Sequence, residues 1–170
     1  MGFFDFIKTA GEKLFGAKEA EAAQATLTQK PDDGEAKARM EALNRQAGDA
    51  IEGYIRAQQL EITGLTVNFD GASSTARVAG VAKDQATKEK AVLCCGNVEG
   101  VARVEDMMSV DQSAPQAVFH TVAKGDTLSK ISKQHYGDAN KYMVIFDANK
   151  PMLKHPDKIY PGQVLRIPGL

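Results

Sequence analysis

With 170 residues, 43% hydrophobic and 25% charged, the chain can hold one or two modest domains, each with a core of its own. A net charge of −1 argues against nucleic acid as the main partner. No run is long and apolar enough to form an integral membrane segment, and the start lacks the basic and apolar segments of a secretory signal. Phe6 stands where a myristoylation signal wants Ser or Thr. The charge is uneven: residues 1–114 carry 13 basic and 18 acidic side chains, and residues 115–170 carry 8 and 4. Opposite signs on the two halves fit either mutual docking or two independently soluble units. Cys94 and Cys95 are adjacent, which disfavours a bond between them and points to reduced, buried thiols in a cytosolic protein.

In chain order, Gly2 to Phe15 reads as a helix, with Phe3, Ile7, Ala10 and Leu14 at spacings of four, three and four. Gly11 inside it marks a kink or an early end that would free the carbonyls of residues 7–11. Residues 17–45 are rich in Ala, Glu, Lys and Gln and are split by Pro31 and Gly34. A second helix begins near Gly34 and ends near Gln58, with Met40, Leu43, Ala47, Ala50 and Tyr54 on its buried face. Leu65, Val67 and Phe69 alternate with Thr66 and Asn68 as a half-buried strand, and Thr75–Val81 returns from a hairpin loop. Asp84 caps a helix running to about Cys95. Gly96-Asn97-Val98-Glu99-Gly100 is a Gly-flanked loop, and Val101–Val110 supplies a third strand.

After the polar linker 112–117 comes a βααβ pattern. A strand around Phe119 and Val122 meets Gly125-Asp126-Thr127, where Asp126 or Thr127 caps a helix with Leu128 and Ile131 inward. Gly137 breaks that helix, and Tyr142, Ile145, Phe146 and Asn149 share a face of the next. Pro151 and Pro156 forbid its continuation, Pro161-Gly162 turns the chain, and Val164–Ile167 closes the unit. The wording "TVAKGDTLSKIS", "IFDANK" and "IYPGQVLRIP" resembles the LysM domain closely.

The preceding αββαβ order, with "TARVAGVAKDQATKEKAVLCCGNVEGVARVED", resembles the BON domain. That family shows a hairpin ending in Val-x-Gly, a Lys- and Glu-rich helix, and a Gly-containing turn into a Val-rich strand. Together with the start "MGFFDFIKTAGEKLFG", the two domains resemble the small cytoplasmic bacterial potassium-binding protein family. The resemblance covers residues 1–16 and roughly 46–170, and 17–45 looks longer than the family's connection. The expected organisation is α+β: an amino-terminal helix (1–16) packed on BON, a polar connection (17–45), a BON domain (46–111), a linker (112–117) and a LysM domain (118–170).

The residues alone offer no catalysis. His120, His135 and His155 sit at no metal-ligand spacing, no Ser occupies a nucleophile elbow, and no phosphate-binding Gly motif occurs. Acidic side chains are scattered over helix faces, where solvation is the default reading. A cytoplasmic, monomeric binding protein, not an enzyme, is expected. The resemblance implies a potassium sensor or buffer whose ligands are the backbone carbonyls of Ile7, Ala10, Glu12, Gly96, Val98 and Val101. Such a ring can replace the water shell of K+ without any formal charge, and the LysM unit would dock to steady the bound form. The LysM resemblance implies an alternative, binding of a muropeptide or N-acetyl glycan between Gly125, Asp126, Thr127 and Leu128 on one side and Asn149 and Lys150 on the other. A membrane-associating BON module is a third reading, weakened by the acidic balance of residues 1–114.

Overall fold

In the computed structural model, which describes residues 2–6, 11–16, 22, 25, 26, 28, 29 and 34–170, the chain opens on a strand where the spacing suggested a helix. β1 (Gly2–Asp5) lies antiparallel on β4 (Arg103–Asp106). Phe4 and Phe6 pack against the core, whereas Phe3 is 59% exposed. This period of two wins over the helical spacing because β4 has an edge that would otherwise leave its peptide groups unpaired. Residues 11–16 are not helical either; Ile7 and Ala10 lie outside the described residues.

Residues 22, 25, 26, 28 and 29 are helical, and the helix α1 (Gly34–Ala57) buries Met40, Ala47, Ile51 and Ile55 on one face. It runs through residue 46, so the expected boundary between connection and domain falls inside a continuous helix. The hairpin is β2 (Ile62–Asp70) and β3 (Thr75–Asp84), paired antiparallel. Asp70 organises its turn by accepting from Ala72 N–H and Ser73 O–H. Asp84 then caps α2 (Gln85–Gly96), its carboxylate 2.7 Å from the Thr87 amide. Two hydrogen bonds from Thr87, chiefly this one, hold that carboxyl below its usual range. α2 is the crossover that lets β4 pair in parallel with β3.

The strand expected over 101–110 is two short ones. β4 pairs with the first half of β3, and β5 (Ser109–Gln112) pairs with its second half, also in parallel. Between them Met107 N–H reaches the Val78 carbonyl, and Met108 N–H reaches the Asp106 carboxylate. The sheet order is β1-β4-β3-β2, with β5 beside β3. Ile51, Ile55, Leu65, Val67, Phe69, Val78, Val92, Val98, Val101 and Val104 form its core. Cys94 and Cys95 are free and buried there, and burial pushes both thiols far up, Cys95 to about 12. They are inert packing groups.

The second core belongs to a βααβ unit: β6 (Val118–Thr121), α3 (Leu128–Tyr136), a 3-10 turn (Ala139–Lys141), α4 (Tyr142–Ala148) and β7 (Val164–Ile167), with β6 antiparallel to β7. Val122, Leu128, Ile131, Ile145, Phe146, Leu153, Leu165 and Ile167 fill it. Thr127 is the residue that caps α3, accepting from Lys130 N–H, and Gly137 ends the helix in the left-handed conformation. The whole is an α+β protein with two hydrophobic cores.

Candidate functional site

The loop after α2 is where separate parts of the chain converge. Helix α2 closes with Asn97 N–H on the Leu93 carbonyl, and the loop tightens through Val101 N–H to the Val98 carbonyl at 3.1 Å. Val98 and Val101 are fully buried, which fixes their peptide planes by packing. The amino-terminal segment is stitched to both ends of this loop. Phe6 N–H donates to the Ala102 carbonyl at 2.8 Å. Farther on, Glu12 N–H donates to the Asn97 carbonyl, and Glu99 N–H donates to the Glu12 carbonyl, each at 2.8 Å. Glu12 and Val98 form a parallel bridge. Phe6 and Glu12 are therefore both anchored on 97–102.

Two glycines make this approach possible, for different reasons. Gly11 has φ +135°, and a Cβ there would lie 2.1 Å from the Asn97 carbonyl oxygen; only glycine fits. Gly96 is needed because the Phe6 ring occupies the place of its missing side chain, at 2.0–2.2 Å from an added Cβ. The sequence marked Gly96 for its dihedral freedom, and Gly11 as a helix kink. The structure assigns both to close packing of one segment on the other.

Of the six expected carbonyl donors, Glu12, Gly96, Val98 and Val101 are brought together by this stitching, while Ile7 and Ala10 lie outside the described residues. The Glu12 and Val98 carbonyls each accept one amide, which leaves a second lone pair. The Gly96 and Val101 carbonyls accept no amide among the described residues. Lys13 and Glu99, 3.8 Å apart, add an ion pair between the two segments.

Sequence reasoning missed Asn97. Its carbonyl holds Glu12, while its side chain, 6% exposed, crosses to the second unit. Asn97 Nδ2 donates to the Val164 carbonyl at 3.0 Å, and Val164 N–H donates to Asn97 Oδ1 at 2.9 Å. A turn asparagine carries no signal of such a partner 67 residues away. Glu89 was missed too, under the default of a solvated helix acid. It is 3% exposed, pairs with Arg166 of β7 at 2.5 Å, and accepts from Gln85 Nε2 and the Ala117 amide. Phe4 meets Phe119 edge-on at 5.3 Å. The two units are thus joined by a buried ion pair, a two-point amide clamp and an aromatic contact.

The residues named for glycan binding mostly have structural tasks. Asn149 is fully buried and donates to the Ile145 and Arg166 carbonyls while accepting from Arg166 N–H. Asp126 accepts from Ala123 N–H, and this bond with His120 beside it holds its carboxyl low. Thr127 is a cap and Leu128 is core. Lys150 pairs with Asp147 and lies over the Phe146 ring; Gly125 is exposed, and its carbonyl accepts from Lys130. Met152, in the loop that should form one wall of the groove, packs against the first core. The fold also pairs His120 and His135 at 3.1 Å, which their separation of fifteen residues had hidden.

The family model for the LysM domain matches residues 120–168. The chain is also 45% identical over 168 residues, 99% of both chains, to the potassium binding protein Kbp of Escherichia coli O6:H1. This chain belongs to the Kbp family. Shorter stretches of it match other proteins. An uncharacterised protein of Deinococcus radiodurans is 50% identical over 59 residues, 35% of this chain and 22% of that one. The uncharacterised protein YqbP of Bacillus subtilis is 39% identical over 66 residues, 34% of this chain and 29% of its own. Among the described residues no helix is long and apolar enough to cross a membrane.

Proposed function

We propose that this Kbp-family protein binds potassium through backbone carbonyls. The donors are those of Ile7, Ala10, Glu12, Gly96, Val98 and Val101, and the BON-like first unit carries all six. One observation supports this reading above the others: Phe6 and Glu12 hydrogen-bond to the two ends of the 97–102 loop, and Gly11 packs on it. Two segments distant in sequence are thereby held side by side at Glu12 and Val98. Uncharged oxygens suit a weakly hydrated monovalent cation, whose lost water shell they replace. The second unit acts as a brace. Asn97 and Glu89 connect it to the loop and to the helix that carries the loop, so it steadies the ion-holding form without supplying a ligand.

The test is calorimetric titration of the full chain in choline or Tris buffer. Potassium is expected to bind, with rubidium and caesium tolerated and sodium much weaker. Equal heats for sodium and potassium, or none for either, end the proposal.

A further inference from the structure

A cavity of about 230 Å³ opens on the seam between the two cores. Glu12 lines it from the amino-terminal segment and Tyr54 from α1, while Lys154, Lys158, Tyr160 and Gln163 line it from the chain between α4 and β7. The first unit therefore supplies a carboxylate and the second supplies two ammonium groups. Among the described residues, none of these three charges has an ion-pair partner.

The neutral groups are also unusual. Gln163 is 7% exposed, and its Oε1 accepts from the Tyr160 amide. Its Nε2 has no hydrogen-bond partner among the described residues. Buried amide donors are ordinarily paired, and no fully covered side-chain nitrogen or oxygen among the described residues lacks a partner. This nitrogen therefore keeps some access to solvent, and Gln163 lines the cavity. Burial, with Glu12 nearby, pushes the Tyr160 phenol up to about 12, and Tyr54 is raised by burial first, then by Cys94 and Glu12. Both stay neutral hydroxyls beside the carboxylate.

A cation alone would satisfy Glu12 and leave the lysines facing it. An anion alone would satisfy the lysines and Gln163 and face the repulsion of Glu12. We propose that the cavity binds a small zwitterion of the α-amino acid class, its ammonium end toward Glu12 and its carboxylate toward Lys154, Lys158 and the Gln163 amide. The cavity shares Glu12 with the potassium reading, here through its side chain and there through its carbonyl, and Asn97 also lines it; the pairing of a carboxylate with two lysines does not require that potassium bind.

The experiment is a titration of the full chain, labelled with nitrogen-15, with L-proline and glycine betaine, following the Gln163 side-chain amide by NMR. Sodium acetate and tetramethylammonium chloride, each carrying one of the two charged ends, are run alongside. Both sets are run in potassium-saturated and in potassium-free buffer, so that failure of potassium binding is read separately. The zwitterions are expected to shift the Gln163 resonance and to bind at least tenfold more tightly than either half. The Lys154→Ala, Lys158→Ala double variant, altered only at exposed side chains, should lose at least tenfold. Acetate binding as well as the zwitterions, tetramethylammonium doing so, no shift with any probe, or no loss in the double variant would each overturn the proposal.

Discussion

Gly11→Ala is the sharpest probe of the stitched loop. The new Cβ would stand 2.1 Å from the Asn97 carbonyl oxygen and 2.7 Å from its carbon, both backbone atoms that cannot swing aside. The residue would also sit at φ +135°, at a cost of about 1–3 kcal/mol for a side chain other than glycine. Relief requires moving Glu12 off the loop, which breaks the two 2.8 Å bonds between Glu12 and Asn97 and Glu99, each worth about 0.5–1.5 kcal/mol. A combined penalty of about 2–6 kcal/mol weakens potassium binding by about 30-fold to about 20,000-fold, at 1.4 kcal/mol per decade. Gly11 is outside the main core, so far-ultraviolet circular dichroism should stay that of the parent. Calorimetry with potassium reads the effect. Gly53→Ala is the matched control: it stands in α1 with nothing within 4 Å of the added Cβ, and it should leave affinity unchanged while raising stability by about 1 kcal/mol. If Gly11→Ala binds potassium within about threefold of the parent, the approach of Glu12 to Asn97 does not build the site.

Asn97→Ala orphans both peptide groups of Val164, so urea unfolding should show a loss of about 2–6 kcal/mol, at about 1–3 kcal/mol per buried unsatisfied group. Amide exchange at Val164 should accelerate, and unchanged exchange there would refute the clamp. Glu89→Gln leaves Arg166, whose side chain is 12% exposed, without its carboxylate and should cost about 3–5 kcal/mol; adding Arg166→Met should recover much of it, and a simple sum of losses would show that the pair is not the cause. His135 is held below its ordinary value of 6.5 by burial and then by His120. The unfolded chain therefore binds the proton first, and the stability from neutral His135 is full above pH 6.5 and shrinks as pH falls below it. Urea midpoints at pH 8 and pH 5.5 should differ less in His135→Gln than in the parent; identical slopes would exclude the imidazole.

How much of this was legible depended on whether the deciding partner was local. The Asp84 cap, the left-handed Gly137 stop and the alternation of Leu65, Val67 and Phe69 are decided within a few residues, and the chain adopts them as read. The βααβ unit is made almost entirely of such devices. The amino-terminal segment is not: Phe3, Ile7, Ala10 and Leu14 suit a helix, Phe4 and Phe6 suit a strand, and the edge of β4, a hundred residues on, chooses. The break at Met107-Met108 is likewise fixed at a distance, where Met107 N–H bonds the Val78 carbonyl between the two pairings on β3. Within the candidate site, the glycines and the valines of the loop stood out in the sequence. Asn97, Glu89 and the His120–His135 pair did not, because an asparagine in a turn, an acid on a charged helix and two distant histidines look ordinary until the tertiary fold supplies their counterparts.

The position of Asn97 has a consequence for synthesis. Its main chain accepts from residue 12 and its side chain pairs with residue 164, so one residue closes two long loops that must be ordered before either bond forms. While the ribosome still holds residues beyond 160, the hairpin and α2 can already be packed, yet Asn97 lacks its last partner. A nascent chain would carry the sheet early and acquire a braced loop only when β7 emerges, which makes the last strand made the one that completes the first segment's seat.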